Sequence, residues 1–227
     1  MRILVVDDDP ALVDLLRRVL TYQGYTVRSA SSGAEAFEQL SNYGVDLVVL
    51  DLTMPDLDGI EVCRRLREAT PDLQILILTG RGRPDDEIAG LEAGADDFVR
   101  KPFDHNVLAA RISSLLRRRD EISRGGSSEV LRYADLSVDV PGRVAYRGSR
   151  RIELTSTEFE LLRFLVGNAQ HVLSKDLILE RVWGYDFGGN YNIVEVYVRA
   201  LRLKLEAGGE PRLIHTMRGA GYVVRSD

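Results

Sequence analysis

Short runs of apolar, branched residues alternate with helical patterns over the first half of the chain. Residues 2–7, 46–51 and 74–79 are mostly apolar, as expected of strands buried on both faces, and each run ends in a polar residue. The segments between them repeat apolar residues at spacings of three and four, which is typical of amphipathic helices. With further strands near 25–29 and 98–100, the pattern predicts an α/β fold, a doubly wound five-stranded parallel sheet with five helices.

The pattern changes in the middle of the chain. Residues 117–129 lose the apolar periodicity and become charged and rich in Gly and Ser, which predicts a flexible linker. Short strand-like segments follow, then helices, the first of which begins with the capping-box spacing of Thr155 and Glu158. The predicted organisation is a first domain at 1–118, a linker at 119–129 and an α+β domain at 130–227.

Charge is distributed unevenly along the chain. The net charge of −5 argues by itself against a nucleic-acid binder. Residues 1–120 hold 15 Lys and Arg against 21 Asp and Glu, a net charge of −6, whereas residues 121–227 hold 15 against 14, a net charge of +1. Any contact with DNA is therefore expected in the second half.

Several features of the composition predict an ordinary cytoplasmic protein. No run approaches the roughly 18–20 consecutive apolar residues of a membrane helix, and the N-terminus lacks the apolar stretch and cleavage site of a signal peptide. The lone cysteine, Cys63, has no partner for an intramolecular disulfide and no His or Cys at zinc spacing. We interpret Cys63 as a plain helix residue.

Polar residues stand where the predicted strands end. Asp7 and Asp8 follow the first strand, Asp51 ends the third and Thr79 ends the fourth, so we expect them to meet at one sheet edge with Lys101. Three carboxylates repel one another unless a cation lies among them, and hard oxygen ligands with open water positions suit Mg²⁺. Asp51 can then attack phosphorus, with Lys101 as a point charge for the phosphoryl oxygens. The alternative is that such acids are solvated loop residues.

The motifs around these positions resemble the receiver (CheY-like) domain of two-component systems. They comprise residues 7–8 (DD), 51–59 (DLTMPDLDG), 79 (T) and 94–103 (GADDFVRKPF). The resemblance implies that a sensor histidine kinase phosphorylates Asp51, and that the protein slowly loses the phosphoryl group and is a regulator, not an enzyme. It also implies Mg²⁺ binding by Asp8, Asp51 and the backbone carbonyl of Thr53, with Asp7 reaching the ion through water.

The same resemblance implies a switch next to the phosphorylation site. Thr79 is the switch hydroxyl, Phe98 the switch aromatic and Lys101 the phosphoryl-binding lysine, with a cis bond before Pro102. On phosphorylation the Thr79 hydroxyl swings toward the new oxygens and vacates space for the ring of Phe98. Gly80 replaces the more usual alanine and Phe98 the more usual tyrosine, and we expect an inward ring to be favoured even without phosphorylation.

A predicted helix over 192–205 has two distinct faces. Its apolar face, which is predicted to be core, consists of Val194, Tyr197, Val198, Leu201 and Leu205. Its other face mixes hydrogen-bonding, cationic and methyl-bearing groups, which suits base edges, phosphates and thymine methyls in a major groove. These side chains are Asn192, Glu195, Val196, Arg199, Arg202 and Leu203. The helix alone leaves a merely solvated face as the alternative.

Four segments of the second half resemble the C-terminal domain of OmpR/PhoB-type regulators, namely 155–162, 182–185, 194–205 and 214–222. The resemblance implies a winged helix with a four-stranded N-terminal sheet, three helices and a closing hairpin, and we predict that Trp183 lies in its core. It also implies promoter DNA with repeated half-sites as a partner. The predicted DNA contacts are Asn192, Val196, Arg199, Arg202, Lys204 and Arg218.

Two further partners follow from the resemblance. The resemblance implies that the loop at 184–190 contacts RNA polymerase, with Tyr185 and Phe187 as its apolar contacts; the alternative is that these two side chains pack on their own domain. A homodimer forms on activation through the fourth helix, fifth strand and fifth helix. Glu87 stands where relatives have Lys or Arg, and Val107 replaces its usual acidic partner. Either dimerisation is weak or non-standard, or the change is neutral; the remaining charges are Asp96, Asp97, Arg111 and Arg118.

Three functions are compatible with these features. The leading hypothesis is a DNA-binding transcriptional response regulator in which phosphorylation of Asp51 controls dimerisation and promoter binding. The second is a constitutive DNA binder with weak or altered switching. The third is a Mg²⁺-dependent aspartate-nucleophile phosphatase, against which the lack of a cap domain or substrate-pocket sequence argues.

Overall fold

The apolar runs of the first half form the strands of one sheet in the computed structural model, which describes residues 1–54, 58–80, 89–123, 130–184 and 192–226. The chain divides into two units, Met1–Arg117 and Arg118–Asp227. The elements that begin in the first unit are β1 (Arg2–Val6), α1 (Pro10–Tyr22), β2 (Thr26–Ala30), α2 (Gly33–Asn42), β3 (Leu47–Asp51), α3 (Gly59–Ala69), β4 (Gln74–Thr79), the helical residues 89–92 of α4, β5 (Asp97–Arg100) and α5 (His105–Ser123).

The five strands of the first unit are all parallel and follow the order β2-β1-β3-β4-β5. This order confirms the predicted doubly wound sheet, in which ligands bind beyond the carboxyl ends of the strands where the order reverses. That reversal lies between β1 and β3, the strands that carry Asp7 and Asp51 at their ends.

The core of the first unit is built on both faces of the central strands, because successive side chains of a strand point to opposite faces. On one face, Val49 of β3 and Leu76 of β4 belong to the same apolar cluster as Leu16 of α1 and Ile112 of α5, and all four are at most 1% exposed. β3 and β4 are buried along their whole length. This burial fixes the strand ends that position the polar residues.

Over its described residues from 130 onward, the second unit contains two antiparallel sheets and three helices. Its capping box is present as predicted: the Thr155 hydroxyl accepts from the backbone N–H of Glu158, whose carboxylate accepts from the N–H of Thr155. Its elements are β6 (Val130–Tyr133), β7 (Leu136–Asp139), β8 (Val144–Arg147), β9 (Arg150–Ile152), α6 (Ser156–Gly167), α7 (Lys175–Trp183), α8 (Asn192–Leu205), β10 (Ile214–Met217) and β11 (Gly221–Val224).

The strands and helices of the second unit confirm the predicted winged-helix architecture. β6 to β9 form a four-stranded antiparallel sheet in chain order, and β10 and β11 form the closing hairpin. Leu173, just before α7, pairs with Tyr222 and so holds the hairpin against the helices. Trp183 is 4% exposed and its ring lies 5.3 Å from that of Tyr197, which confirms its place in the core.

The predicted linker is wrong in its first five residues. Residues 119–123 continue α5, and their charged composition is compatible with an extra helical turn and a half because Arg, Glu and Ile are all tolerated in helices. Residues 124–129 lie outside the described part of the chain.

Two predictions from composition concern membrane-spanning helices and the lone cysteine. None of the helices in the described ranges combines the length and the apolar character that crossing a membrane requires. Cys63 lies in α3 and is fully buried, and this burial raises the pKa of its thiol to about 12. A thiol that stays protonated is a poor nucleophile, in agreement with the interpretation of Cys63 as a plain helix residue.

Candidate functional site

The strand ends bring four of the predicted residues to one edge of the parallel sheet. Asp51 ends β3 and lies beside Leu78, the residue before Thr79. Asp7 directly follows β1. Lys101 directly follows β5, and its backbone N–H donates to the carbonyl of Thr79 at 2.7 Å. The register of the sheet, fixed by its buried strands, therefore sets the position of each side chain.

Three carboxylates cluster at this edge. Asp7, Asp8 and Asp51 each offer an oxygen, and these oxygens lie within 4.8 Å of one another. Asp7 and Asp51 are buried, at 2% and 3% exposure, while Asp8 is exposed. Buried like charges destabilise a fold unless a cation compensates them. The cluster could hold a divalent cation, since hard oxygen ligands with one face open to water suit such ions.

Lys101 provides a cation at this cluster. Its Nζ donates to Oδ2 of Asp7 at 2.8 Å and lies 3.2 Å from Oδ2 of Asp51. Burial by itself lowers the pKa of Lys101, but the hydrogen bonds and the negative charges of Asp7 and Asp51 together outweigh it and raise the pKa. The ammonium group therefore stays charged between the two buried acids.

Both oxygens of Asp51 have partners. Oδ2 lies next to Lys101, and Oδ1 accepts a hydrogen bond from the Thr53 hydroxyl at 3.0 Å. The family resemblance implies a role only for the backbone carbonyl of Thr53, and the contact of its hydroxyl was not predicted. The only signal for that contact was the position of a hydroxyl residue two places after the strand end. Together the two contacts fix the orientation of the carboxylate.

Gly59 lets α3 approach the end of β3. A Cβ on Gly59 would lie 2.5 Å from Cα of Leu52 and 2.9 Å from the carbonyl oxygen of Asp51. The Asp58 side chain caps the same helix by accepting from the N–H of Ile60 at 3.2 Å. The helix therefore presses directly on the backbone that carries Asp51. The residues between, 55–57, lie outside the described ranges.

The predicted switch residues lie on the two strands after β3, with Thr79 at the end of β4 and Phe98 within β5. Thr79 is 1% exposed and Phe98 is 7% exposed, so the Phe98 ring lies inside the unit as expected for a ring without a hydroxyl. A Cβ on Gly80 would meet nothing within 4 Å, so an alanine would also fit after Thr79. The Lys101–Pro102 bond is cis, as predicted.

The charges that we expected to remain available for a dimer face are largely engaged within the chain. Asp96 is fully buried and accepts from Arg67 at 2.6 Å and from the N–H of Ile75 at 2.9 Å. Asp97 pairs with Arg111 at 2.9 Å. The expectation was wrong for Asp96, because a carboxylate with 0% exposure cannot reach a second subunit.

Glu87 and Val107 are the two residues that replace the ion pair expected at the dimer face. Val107 is 40% exposed on α5, so its side chain is accessible at the surface. Glu87 lies outside the described residues, and so does the side chain of Arg118.

The apolar face of α8 is buried as predicted, but it is wider than the spacing indicated. Val194, Tyr197, Val198, Leu201 and Leu205 are each at most 2% exposed. Val196, predicted to contact DNA, is also buried at 8% exposure. It lies three residues after the buried Ile193 and next to Tyr197, so the buried arc of the helix extends over it.

The predicted cations of α8 differ in their surroundings. Arg199 is exposed. Arg202 donates to the carbonyl of Ile214 at 2.9 Å and to the Thr216 hydroxyl at 2.8 Å, which ties α8 to the hairpin. Lys204 donates to Glu158 at 2.6 Å. Sequence analysis missed both tethers, since their partners are distant in the chain. The side chain of Asn192 lies outside the described residues.

The hairpin presents its turn to solvent. Arg218 is exposed at the turn, and the following Gly219 has a φ of +74°. Gly221 has a φ of +134°, and a Cβ there would lie 1.9 Å from the carbonyl oxygen of Leu173. The hairpin can therefore pack on the chain before α7 only with glycine at this position. The predicted polymerase loop, including Tyr185 and Phe187, lies outside the described residues.

Family models match both halves of the chain. Residues 3–113 match the response regulator receiver domain, and residues 149–224 match the C-terminal domain of transcriptional regulatory proteins. The chain is 52% identical over 225 residues to the response regulator MprA of Mycobacterium sp. (strain KMS), covering 99% of this chain and 97% of that protein. It is 51% identical to MprA of Mycobacterium tuberculosis (strain ATCC 25177 / H37Ra), with the same coverage.

Solved structures agree with these matches. A RitR mutant is similar with a TM-score of 0.79 and 31% identity, covering 100% of this chain and 99% of that chain. The response regulator DrrB, an OmpR/PhoB homologue of Thermotoga maritima, is similar with a TM-score of 0.53 and 30% identity, covering 99% of each chain. The chain therefore belongs to the two-component response regulators of the OmpR/PhoB type, with a receiver domain followed by a DNA-binding domain.

Proposed function

We propose that Asp51 is the phosphoacceptor of this response regulator and that its donor is a phosphohistidine of the sensor histidine kinase. An oxygen of Asp51 attacks phosphorus, the N–P bond breaks, and the imidazole leaves with the bonding electron pair as the aspartyl phosphate forms. The observation that supports this most is the buried Asp51 carboxylate beside Lys101 at the strand ends. Slow hydrolysis then returns the carboxylate, so the regulator is not an enzyme in the usual sense.

The donor set at this edge fits Mg²⁺. Asp8 and Asp51 would hold the ion with the backbone carbonyl of Thr53, and Asp7 would reach it through water. When bound, the ion neutralises charge on the phosphoryl oxygens. Lys101 adds a fixed positive charge at the same place, since it lies within 3.2 Å of Asp51. Thr53 and Lys101 hold the two oxygens of Asp51 in a defined orientation.

The switch that follows rests on Thr79 and Phe98. The Thr79 hydroxyl donates to the new phosphoryl oxygens, and Phe98 packs into the space that Thr79 leaves. The burial of both side chains, with Thr79 at the end of the strand beside that of Asp51, supports this role. Gly80 adds no side chain that would obstruct the movement.

Site mapping on the full chain tests the phosphoacceptor. We expect incubation with acetyl phosphate and Mg²⁺ to place one phosphoryl group on the peptide that contains Asp51, as read by mass spectrometry. Asp51→Asn should remain unlabelled, whereas Asp14→Asn, a matched change on the exposed face of α1, should be labelled like the wild type. Rapid multiple turnovers of acetyl phosphate without a stable product would instead favour the phosphatase.

The DNA-binding domain engages promoter DNA through α8 and the hairpin, as a homodimer on repeated half-sites. The exposed Arg199 and Arg218 support this assignment, and Arg202 and Lys204 lie in the last turn of α8. Asn192, at the start of α8, is the remaining proposed DNA contact. Val196 is no longer among the proposed DNA contacts, because its side chain is buried. By the same family likeness, the loop at 184–190 contacts RNA polymerase.

Dimerisation on phosphorylation is weak or uses a non-standard face. The exposed Val107 cannot form an ion pair, and Asp97 is paired with Arg111 of its own chain. Sedimentation of the full chain with beryllium fluoride as a phosphoryl mimic should therefore show a monomer–dimer equilibrium in the micromolar range or weaker. A tight dimer through the usual symmetric face would contradict this.

A constitutive DNA binder is the second candidate, and one observation favours it. Phe98 is buried at 7% exposure, and an inward ring is the position that the active state of the switch requires. The two candidates differ in whether DNA affinity depends on Asp51.

A further inference from the structure

A groove in the DNA-binding domain lies between the start of α7, α8 and the β10–β11 hairpin, with a volume of about 600 Å³. Lys175, Arg202 and Thr216 line it and offer the cationic and hydroxyl groups that phosphates prefer. Two carboxylates, Asp176 and Glu195, line it as well. A carboxylate on a DNA-facing helix repels phosphates, so Glu195 calls for a separate explanation.

Glu195 forms an ion pair with Lys175, which joins the first turn of α7 to the first turn of α8. Both side chains are substantially exposed, at 52% for Glu195 and 36% for Lys175. The hydrogen bond to Glu195 raises the pKa of Lys175. Exposed ion pairs contribute little to the stability of a fold. Stabilisation by the pair with Lys175 therefore does not explain why a carboxylate stands at this position.

The position of Glu195 matches that of a base-reading side chain. It lies in the first turn of α8, and in helix-turn-helix folds the N-terminal residues of the recognition helix contact base edges in the major groove. Arg202, two turns further along, is instead tethered to Thr216 of the hairpin. The carboxylate is thus a polar group at the end of the helix that enters the groove first, three residues after Asn192.

The chemistry of a carboxylate restricts which base it can recognise. An ionised carboxylate only accepts hydrogen bonds. In the major groove, cytosine presents the N4 amino donor, whereas guanine presents two acceptors and thymine presents an acceptor and a methyl group. Adenine presents a donor next to the N7 acceptor, which would repel the second carboxylate oxygen. Cytosine is therefore the complementary base.

We propose that Glu195 is a specificity-determining residue that accepts a hydrogen bond from the amino group of a cytosine, while Lys175 neutralises its charge against the neighbouring phosphates. This inference rests on the proposed placement of α8 in the major groove. In this arrangement Glu195 contacts the base, and the cations Arg202 and Lys175 contact the phosphates.

Selection from random duplexes tests the inference with the full-length phosphorylated chain. The probe is a pool with a randomised central segment, selected in parallel by wild type, Glu195→Ala and Glu195→Gln at one salt concentration. We expect wild type to prefer cytosine about tenfold at one position of each half-site. Glu195→Ala should lose that preference alone, and Glu195→Gln should move it to adenine, to which glutamine binds bidentately.

A matched control and a second variant separate the alternatives. Glu153→Gln makes the same change at an exposed residue of the same domain outside the groove lining, and its base frequencies should equal those of wild type. Lys175→Ala should weaken binding to all sequences alike and lower the slope of log affinity against log salt by about 1.

Unchanged base frequencies in both Glu195 variants would overturn the inference. Uniformly tighter binding of Glu195→Ala to every duplex would also overturn it, because it would mean that the carboxylate only repels the DNA phosphates. Selection of no sequence by wild type would instead refute the DNA contact of α8 itself.

Discussion

Lys101 and Lys175 each form ion pairs with carboxylates, but their surroundings are opposite. Lys101 lies between Asp7 and Asp51, whose side chains are 1% and 4% exposed. Lys175 pairs with Glu195, and both side chains are open to water. In the receiver domain the cation compensates charges that the sheet has already buried, so removing it leaves unpaired acids inside the fold. In the DNA-binding domain solvent can replace either partner, and the pair is free to exchange partners with a ligand.

The two domains therefore use charge differently. The proposed phosphoacceptor site is preorganised, since the strands and Gly59 fix the position of Asp51. The groove between α7, α8 and the hairpin is held in shape by its backbone, through the packing of Gly221 on Leu173, and its charged side chains line that backbone frame. Substitutions at backbone contacts should therefore have the largest effects on stability, buried charges intermediate effects and exposed charges the smallest.

The largest effect is expected for Gly221→Ala. The new Cβ would lie 1.9 Å from the Leu173 carbonyl oxygen, at a φ of +134° that side chains rarely adopt. We expect a loss of at least about 3 kcal/mol in the unfolding free energy of the DNA-binding domain, measured by urea denaturation. Gly219→Ala is the control, because its φ is +74° but its Cβ meets nothing within 4 Å, and it should cost about 1 kcal/mol.

Gly59→Ala should have the next largest effect. Its Cβ would press on Leu52 and on the carbonyl of Asp51, so we expect a loss of about 2 kcal/mol in receiver stability. The displaced loop should also slow labelling of Asp51 by acetyl phosphate. Gly80→Ala is the matched control beside the same site, where the added methyl group meets open space and stability should not change. Equal behaviour of the two variants would refute the role of Gly59 in positioning Asp51.

Lys101→Met should destabilise the receiver by about 1–2 kcal/mol in the absence of divalent cations. The variant leaves Asp7 and Asp51 buried without the ammonium group, whose partial exposure limits the cost. Added Mg²⁺ should stabilise Lys101→Met more than wild type, as measured by the melting temperature with and without MgCl₂. A variant as stable as wild type in EDTA would contradict the compensating role of Lys101.

The pH dependence of this contribution follows from the raised pKa of Lys101. A group whose folded pKa exceeds its unfolded value, 10.5, stabilises the fold fully below that value and loses its contribution as pH rises through the folded pKa. The stability gap between wild type and Lys101→Met should therefore be constant from pH 7 to about 9 and should narrow above about pH 10.5. A gap that widens in alkali would have the wrong sign.

The smallest effect is expected for Lys175→Met. Because both members of its ion pair are exposed, unfolding stability should change by less than about 0.5 kcal/mol. The comparison with Lys101→Met is direct, since the same substitution is made at two carboxylate-bound lysines. A loss as large as that of Lys101→Met would remove the contrast between the two domains.

The receiver site could be predicted from sequence because its geometry follows from local patterns. Apolar runs define the buried strands, and parallel strands place the residues that follow them, Asp7, Asp51, Thr79 and Lys101, at one edge. The hydroxyl contact of Thr53 could not be predicted, because it depends on the rotamer of a loop side chain. The burial of Asp96 was also missed, since it depends on Arg67 of α3, 29 residues away.

The surroundings of the α8 side chains were less predictable from sequence. The 3.6-residue period found the buried face of α8, but Val196 lies at the edge of that face, where burial depends on how neighbouring elements pack. Arg202 and Lys204 were assigned from charge alone, whereas their partners Thr216 and Glu158 come from β10 and α6. The helical turn and a half after residue 118 was missed because charged residues favour a linker and a solvated helix alike.

The most direct test of the account is the affinity of the full chain for a selected DNA site before and after phosphorylation. Wild type treated with acetyl phosphate and Mg²⁺ should bind between about 5-fold and 150-fold more tightly than untreated protein, the usual range of coupling between two sites. Asp51→Asn should show no change with the same treatment. Identical binding curves for treated and untreated wild type would contradict control by Asp51 and would leave the constitutive DNA binder.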